Sequence, residues 1–134
     1  MVIDTSVAIA WFMPDERDLG TELLDLVTEN GAIVPSLWPL EIANALLVAV
    51  RRKRIFRAHC ARALQSLGRL PIEIDTETTG RAWGRTFELA ARFRLTIYDA
   101  CYLELAQRRG LPLASFDREL RTAGRALGLT LLGN

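Results

Sequence analysis

His59, Cys60 and Cys101 are the only histidine and cysteine residues among the 134 of this chain. A closed structural zinc site wants four such ligands, so the count excludes one. The two cysteines stand far apart, in no CxxC spacing and each within helical periodicity, and read as reduced helix residues rather than a disulfide. Long apolar runs are also missing: nothing approaches the ~20 residues that cross a bilayer. The apolar start from Met1 to Met13 is interrupted by Asp4 and preceded by no Lys or Arg, which argues against a secretion signal and for a cytoplasmic chain with no membrane association. Charge of one sign is absent too. Seventeen Lys and Arg balance sixteen Asp and Glu to a net charge of +1, so no global basic field announces a nucleic-acid partner. Lysine itself is nearly absent, Lys53 being the only one, and the positive charge gathers locally in Arg51, Arg52, Lys53, Arg54 and Arg57. Arginine forks suit bidentate phosphate contacts, so the first four are candidate RNA contacts. The same residues equally suit a solvated helix end whose cations complement the dipole.

Half of the residues are hydrophobic and a quarter charged, the balance of a globular protein, and the length suits one domain over residues 1–134. Val2 and Ile3 read as a short strand running into Asp4, Thr5 and Ser6, which favour caps and turns. A helical pattern through Leu19, Leu23, Leu24 and Val27 closes at Asn30 and Gly31. Ala32 to Val34 then reads as a strand, residues 37–50 and 57–67 as helices, and Ile72 to Ile74 as a strand. Asp75 and Thr76 are plausible caps for a helix running to about Phe93. A helix from Tyr98 to Arg109 closes at Gly110. Pro112 to Ser115 reads as a strand, Asp117 precedes a helix to about Leu127, and Thr130 to Leu132 ends the pattern as a strand. Short apolar strands alternating with helices imply crossover connections. The fold class is therefore α/β, three layers with a short, mostly parallel central sheet.

Ligands of open α/β sheets bind beyond the carboxyl ends of the strands. Four acids fall there: Asp4 after the first strand, Glu41 in the helix after the second, Asp99 at the start of a helix, and Asp117 after the fourth strand. Asp25, Glu29, Glu88 and Glu104 lie within helices, where solvent is the default environment. Asn44 shares a helix face with Glu41, and Thr5, Ser6 and Ser115 are hydroxyl donors beside the acids, suited to orienting carboxylates. Carboxylates brought together repel, and oxygen ligands without histidine suit Mg²⁺, with Mn²⁺ able to substitute. Such a site makes phosphodiester hydrolysis the natural chemistry. Taken singly, Asp4, Asp99 and Asp117 could each be no more than a helix N-cap, and Glu41 a surface residue near a helix start.

Four segments, VIDTSVAIAW, LEIANALL, LTIYDACYLELA and GLPLASFDRELRTAG, resemble in order those of the PIN-domain family and, within it, the VapC-like toxins. The resemblance spans almost the whole chain. It implies a PIN-like fold and a Mg²⁺- or Mn²⁺-dependent endoribonuclease, the toxin of a VapBC-type pair, homodimeric and inhibited by a VapB-like antitoxin. By motif position Asp4, Glu41, Asp99 and Asp117 would be its catalytic, metal-binding acids. Ser115 stands where many relatives have Thr, and Glu119 is the one nearby candidate for the further acid that some carry.

Other strand-end acids fit less well. A receiver domain needs adjacent acids after its first strand and a late lysine. A haloacid-dehalogenase-type phosphatase needs a second Asp where Ser6 stands. The remaining alternative is a catalytically inactive PIN-like module that binds RNA or protein, which an incomplete acidic set would have signalled.

Overall fold

Neighbouring residues of a strand point to opposite faces, so burial of both means cover on both sides. In the computed structural model, which describes residues 1–133, this holds for the three inner strands. Val2 and Ile3 of β1 (Val2–Ile3), all of β2 (Ala32–Val34), and Leu113 and Ala114 of β4 (Leu113–Ala114) are buried. β3 (Ile72–Ile74) and β5 (Leu131–Leu132) form the more exposed edges. The order is β3-β2-β1-β4-β5 and every pairing is parallel, with Val2 opposite both Ile33 and Leu113.

Parallel neighbours need crossovers, and helices supply them. α1 (Thr5–Ala10) and α2 (Thr21–Asn30) join β1 to β2, and α3 (Trp38–Arg51) and α4 (Arg57–Gly68) join β2 to β3. The chain returns through α5 (Arg85–Phe93) and α6 (Ile97–Arg109) to β4, then through α7 (Arg118–Ala126) to β5. The sheet grows outward from β1 in one direction and then in the other. Its switch point therefore lies between β1 and β4, where such sheets place ligands.

α6 is the central helix. Ala100 to Ala106 are all buried, and the helix packs against α5, α7, β1 and β4. A helix covered all round has no solvent face. That corrects one expectation: Glu104 is 3% exposed, and Arg108 donates to it through Nε at 2.7 Å. A second correction concerns Asp75, which caps no helix. Its N–H donates to the Val34 carbonyl, and its buried carboxylate accepts from Thr78 Oγ1 at 2.7 Å and from Arg108 Nη2 at 2.8 Å. Between Asp75 and α5 lies only a one-turn 3-10 helix, Thr79–Arg81. The polar stretch around Thr76 to Gly84 gives no apolar face on which a longer helix could pack, and Asp75 is engaged by Thr78 and Arg108 instead. Cys60 and Cys101 are free thiols, and among the described residues no helix is long and apolar enough to cross a membrane.

Arg108 thus holds two buried carboxylates and a third, exposed one, Glu77, at 3.2 Å. Burial alone would raise the Asp75 carboxyl, but the hydrogen bonds from Arg108, Thr78 and the Glu77 N–H hold it below the usual range. A lowered folded-state value contributes stability present at neutral pH and lost as the solution is acidified past the ordinary carboxylate range. Arg108→Ala leaves Asp75 and Glu104 buried without a counter-charge and is expected to destabilise the fold by about 3–5 kcal/mol in urea unfolding at pH 7. A loss below about 1 kcal/mol would mean that the cluster behaves as a surface ion pair.

Candidate active site

Asp4 follows β1 directly. Its N–H donates to the Ala114 carbonyl at 3.1 Å, which ties it to the end of β4, and its carboxylate caps α1. Oδ1 accepts from Ser6 Oγ at 2.6 Å and from the Val7 N–H at 3.3 Å, while Oδ2 accepts from Ser115 Oγ at 2.5 Å. Three donors take three of a carboxylate's roughly four acceptor positions, leaving one on Oδ2. The group is 5% exposed. Burial raises its pKa to about 6 against the pull of the Ser115, Ser6 and Val7 hydrogen bonds, and the charge of Asp117 adds to the rise.

Glu41 comes from the first turn of α3. Its Oε1 accepts from Tyr102 Oη at 2.5 Å and from Thr5 Oγ1 at 3.2 Å, and these two hydroxyls lie 3.2 Å apart. Both donors meet the same oxygen, and Oε2 takes no hydrogen bond among the described residues. Tyr102 is 1% exposed, and its hydroxyl pKa is pushed up by burial and by the bond to Glu41, which keeps it a donor.

Asp117 caps α7 through Oδ1, which accepts from the N–H groups of Glu119 and Leu120 at 3.0 and 3.4 Å. Its own N–H donates to Ser115 Oγ at 3.0 Å, and Phe116 N–H donates to Ser6 Oγ at 3.0 Å. The two serines thus join the β1 and β4 ends around Asp4. Asp99 is not a cap: Thr96 holds that place in α6 and accepts from the Asp99 N–H at 3.0 Å. The Asp99 carboxyl is raised by burial, then by the charges of Asp117 and Glu119, against a hydrogen bond from Thr96. Buried Cys101 reports the same field, its thiol pushed up to about 11 by burial and by Glu104, Glu41, Asp75 and Asp99.

Ser115 joins Asp4 to Asp117, and the charge of Asp117 acts on both Asp4 and Asp99, while Glu41 is held by Thr5 and Tyr102. Among the described residues no three His, Cys, Asp or Glu side chains close on a single point suited to a metal ion. The fit to one lies in the donor set: oxygens only, held by protein donors, with acceptor positions left on Asp4, Glu41 and Asp117. Thr5, Ser6 and Ser115 touch the acids as their positions suggest. Asn44 is exposed one turn beyond Glu41 and bonds to none of the acids. Arg51, Arg52 and Lys53 are exposed at the far end of α3, about 15 Å from Glu41 at 1.5 Å per residue. Arg54 is committed to Asp15 at 3.1 Å and Glu16 at 3.7 Å. Tyr102 goes unnoticed in the sequence, although it lies three residues after Asp99 on the same helix face, the spacing that could have revealed it.

The family profile of the PIN domain matches residues 1–126. Ribonuclease VapC3 of Pyrobaculum aerophilum is 27% identical over 120 residues, spanning 90% of this chain and 91% of that protein. VapC ribonuclease Mb0985 of Mycobacterium bovis is 30% identical over 126 residues, spanning 94% of this chain and 92% of the relative. The crystal structure of PAE2754 from Pyrobaculum aerophilum superposes with a TM-score of 0.70 at 23% identity, over 97% of this chain and 81% of that one, a likeness of fold.

The Asp4 environment has a measurable consequence. A carboxyl raised in the folded state contributes stability fully present below its ordinary value and lost as pH rises through the folded one. From 3.8 to about 6, that amounts to about 3 kcal/mol. In chelator, urea unfolding between pH 4 and pH 7.5 should show the parent losing most of this relative to Asp4→Asn. Parallel pH profiles for the two proteins would contradict the buried, charge-poor setting of Asp4.

Proposed function

This chain belongs to the PIN-domain family, and from that premise we propose that it is a divalent-metal-dependent endoribonuclease, the toxin of a type II toxin–antitoxin pair. What supports the reading is that Asp4 and Asp117 follow β1 and β4, the strands on either side of the switch, and that the charge of Asp117 acts on both Asp4 and Asp99. The names of the relatives support RNA as substrate and a VapB-like antitoxin as partner.

The four acids would hold the ion. Hard oxygen ligands without histidine favour Mg²⁺, with Mn²⁺ as a substitute. When bound, a cation of this kind neutralises the acids and supplies Lewis acidity to a phosphodiester. The chain's own residues do the rest. Ser6, Ser115 and the Val7 N–H fix both oxygens of Asp4, so that its remaining acceptor position points one way. Tyr102 and Thr5 occupy Oε1 of Glu41 and turn Oε2 to the site. Thr96 fixes the first turn of α6 and hence Asp99. Asn44, exposed beside Glu41, is free to meet the substrate. Arg51, Arg52 and Lys53 would contact backbone phosphates further along, Arg54 being held by Asp15 and Glu16. A homodimer and a cytoplasmic home complete the reading.

Purified protein should cleave single-stranded or looped RNA with Mg²⁺ or Mn²⁺ and stop with EDTA, loops being favoured because their backbone is accessible. Asp4→Asn, Glu41→Gln, Asp99→Asn and Asp117→Asn should each reduce cleavage to background, and Ser115→Ala should lower cation affinity by about 10–100-fold. Equal cleavage in EDTA would overturn the metal-dependent reading.

A further inference from the structure

α2 and α6 close on glycines in the left-handed region, Gly31 at φ 76° and Gly110 at φ 63°. α5 closes on Arg94 at φ 55°, ψ 42°. Without a glycine this conformation is strained, because Cβ crowds the following carbonyl. Arg94 is exposed, and no carboxylate pairs with it among the described residues, so the fold gains nothing evident from an arginine there. Such outliers cluster at functional sites, and among the described residues the other non-glycine case is Lys53 at φ 59°.

The position of Arg94 is informative. It lies two residues before Thr96, which fixes the turn carrying Asp99. With Arg118, the residue after Asp117, it lines a cleft of about 340 Å³ completed by Phe93, Glu119, Thr122 and Ala123. Arg118 is also exposed and has no carboxylate partner among the described residues. A third guanidinium, that of Arg92, stacks 4.7 Å over the Phe93 ring. Glu119 is the single acid in the cleft. Elsewhere Arg54, Arg81, Arg85 and Arg108 are engaged by carboxylates. Two arginines without a carboxylate partner among the described residues thus share a cleft, one adjoining Asp117 and the other two residues before Thr96.

We propose that Arg94 and Arg118 form a phosphate subsite that grips the RNA backbone next to the bond being cut. The inference rests on the ribonuclease reading. An acidic edge repels an RNA strand, and a pair of guanidiniums at its rim supplies the opposing attraction, with forked donors suited to phosphate oxygens.

The test measures binding of a short single-stranded RNA in EDTA by fluorescence anisotropy, across a salt series, for the parent, Arg94→Gly, Arg118→Gln, the double variant and Arg62→Gln, an exposed arginine of α4. Each cleft variant should bind about tenfold more weakly. Each should also flatten the salt dependence by about 0.7 in the log–log slope, the value for one single-strand phosphate contact. Arg94→Gly should melt at the same or a higher temperature, since glycine relieves the left-handed strain, which separates lost grip from lost fold. Arg62→Gln should change affinity less than twofold. An equal loss in Arg62→Gln, or an unchanged slope in the cleft variants, would overturn the subsite. So would intact RNA affinity alongside lost binding of an oligoglutamate peptide, which assigns the cleft to an acidic protein. Cleavage with Mn²⁺ is followed in parallel: RNA binding without cleavage in the parent defeats the ribonuclease reading alone, whereas cleavage with unaffected cleft variants defeats the subsite alone.

Discussion

A carboxylate buried at the end of the central strand is the constraint around which this molecule is arranged. Asp4 cannot be moved outward, because its own N–H is part of the β1–β4 ladder and its side chain caps α1. Its desolvation must be offset locally, and the two serines that do so come from the first turn of α1 and from the residue after β4. Those serines accept in turn from the N–H groups of Phe116 and Asp117. One buried charge thereby dictates the path of the chain from β4 to α7, and with it the position of the second strand-end acid. The hydrogen bonds do not cancel the burial, since the group remains raised to about 6. What is left over is a carboxyl that keeps its proton to higher pH than an exposed one.

α6 brings the remaining parts to that charge. Its first turn carries Asp99, its next turn sends the Tyr102 hydroxyl to Glu41, and its last turn holds Arg108 against Asp75 beyond β3. The helix is thus clamped at one end by a buried ion cluster and exposes an acid at the other. The Arg108 cluster contributes to the site only through position: a helix fixed at its C-terminus presents Asp99 and Tyr102 at a fixed place along the sheet edge. The rim carries the opposite charge, with Arg94 and Arg118 beside the acids.

Much of this was legible in the sequence. The strands and most helices followed from apolar runs punctuated by Gly31, Gly110 and the strand-end acids, and the match over residues 1–126 agrees with the family resemblance carried by four short segments. The strand-end rule and the family resemblance together singled out Asp4, Glu41, Asp99 and Asp117 among the sixteen acids; element order alone also admits Asp75, which follows β3 directly. What escaped depended on tertiary cover. Glu104 sits at an ordinary helical spacing, and only packing on all sides of α6 makes it a buried partner of Arg108. Asp75 looks like any helix cap until its partner, 33 residues away, is known. Tyr102 reads as a core aromatic, which it also is. The N-cap reading proved right for Asp4 and Asp117 and wrong for Asp99, since Thr96 takes the cap, so capping and a role at the site do not exclude each other.

That last distinction offers the most direct test of the central claim, that these acids act together as one cation-binding centre. Because Asp99 caps nothing, Asp99→Ala removes charge without removing a cap, and in chelator the variant should melt at or above the parent temperature as repulsion from Asp117 and Glu119 is relieved. Mg²⁺ at about a hundred times its dissociation constant should then stabilise the parent by about 2.7 kcal/mol and the variant by markedly less. An equal gain from Mg²⁺ in both proteins, or none in either, would contradict the account.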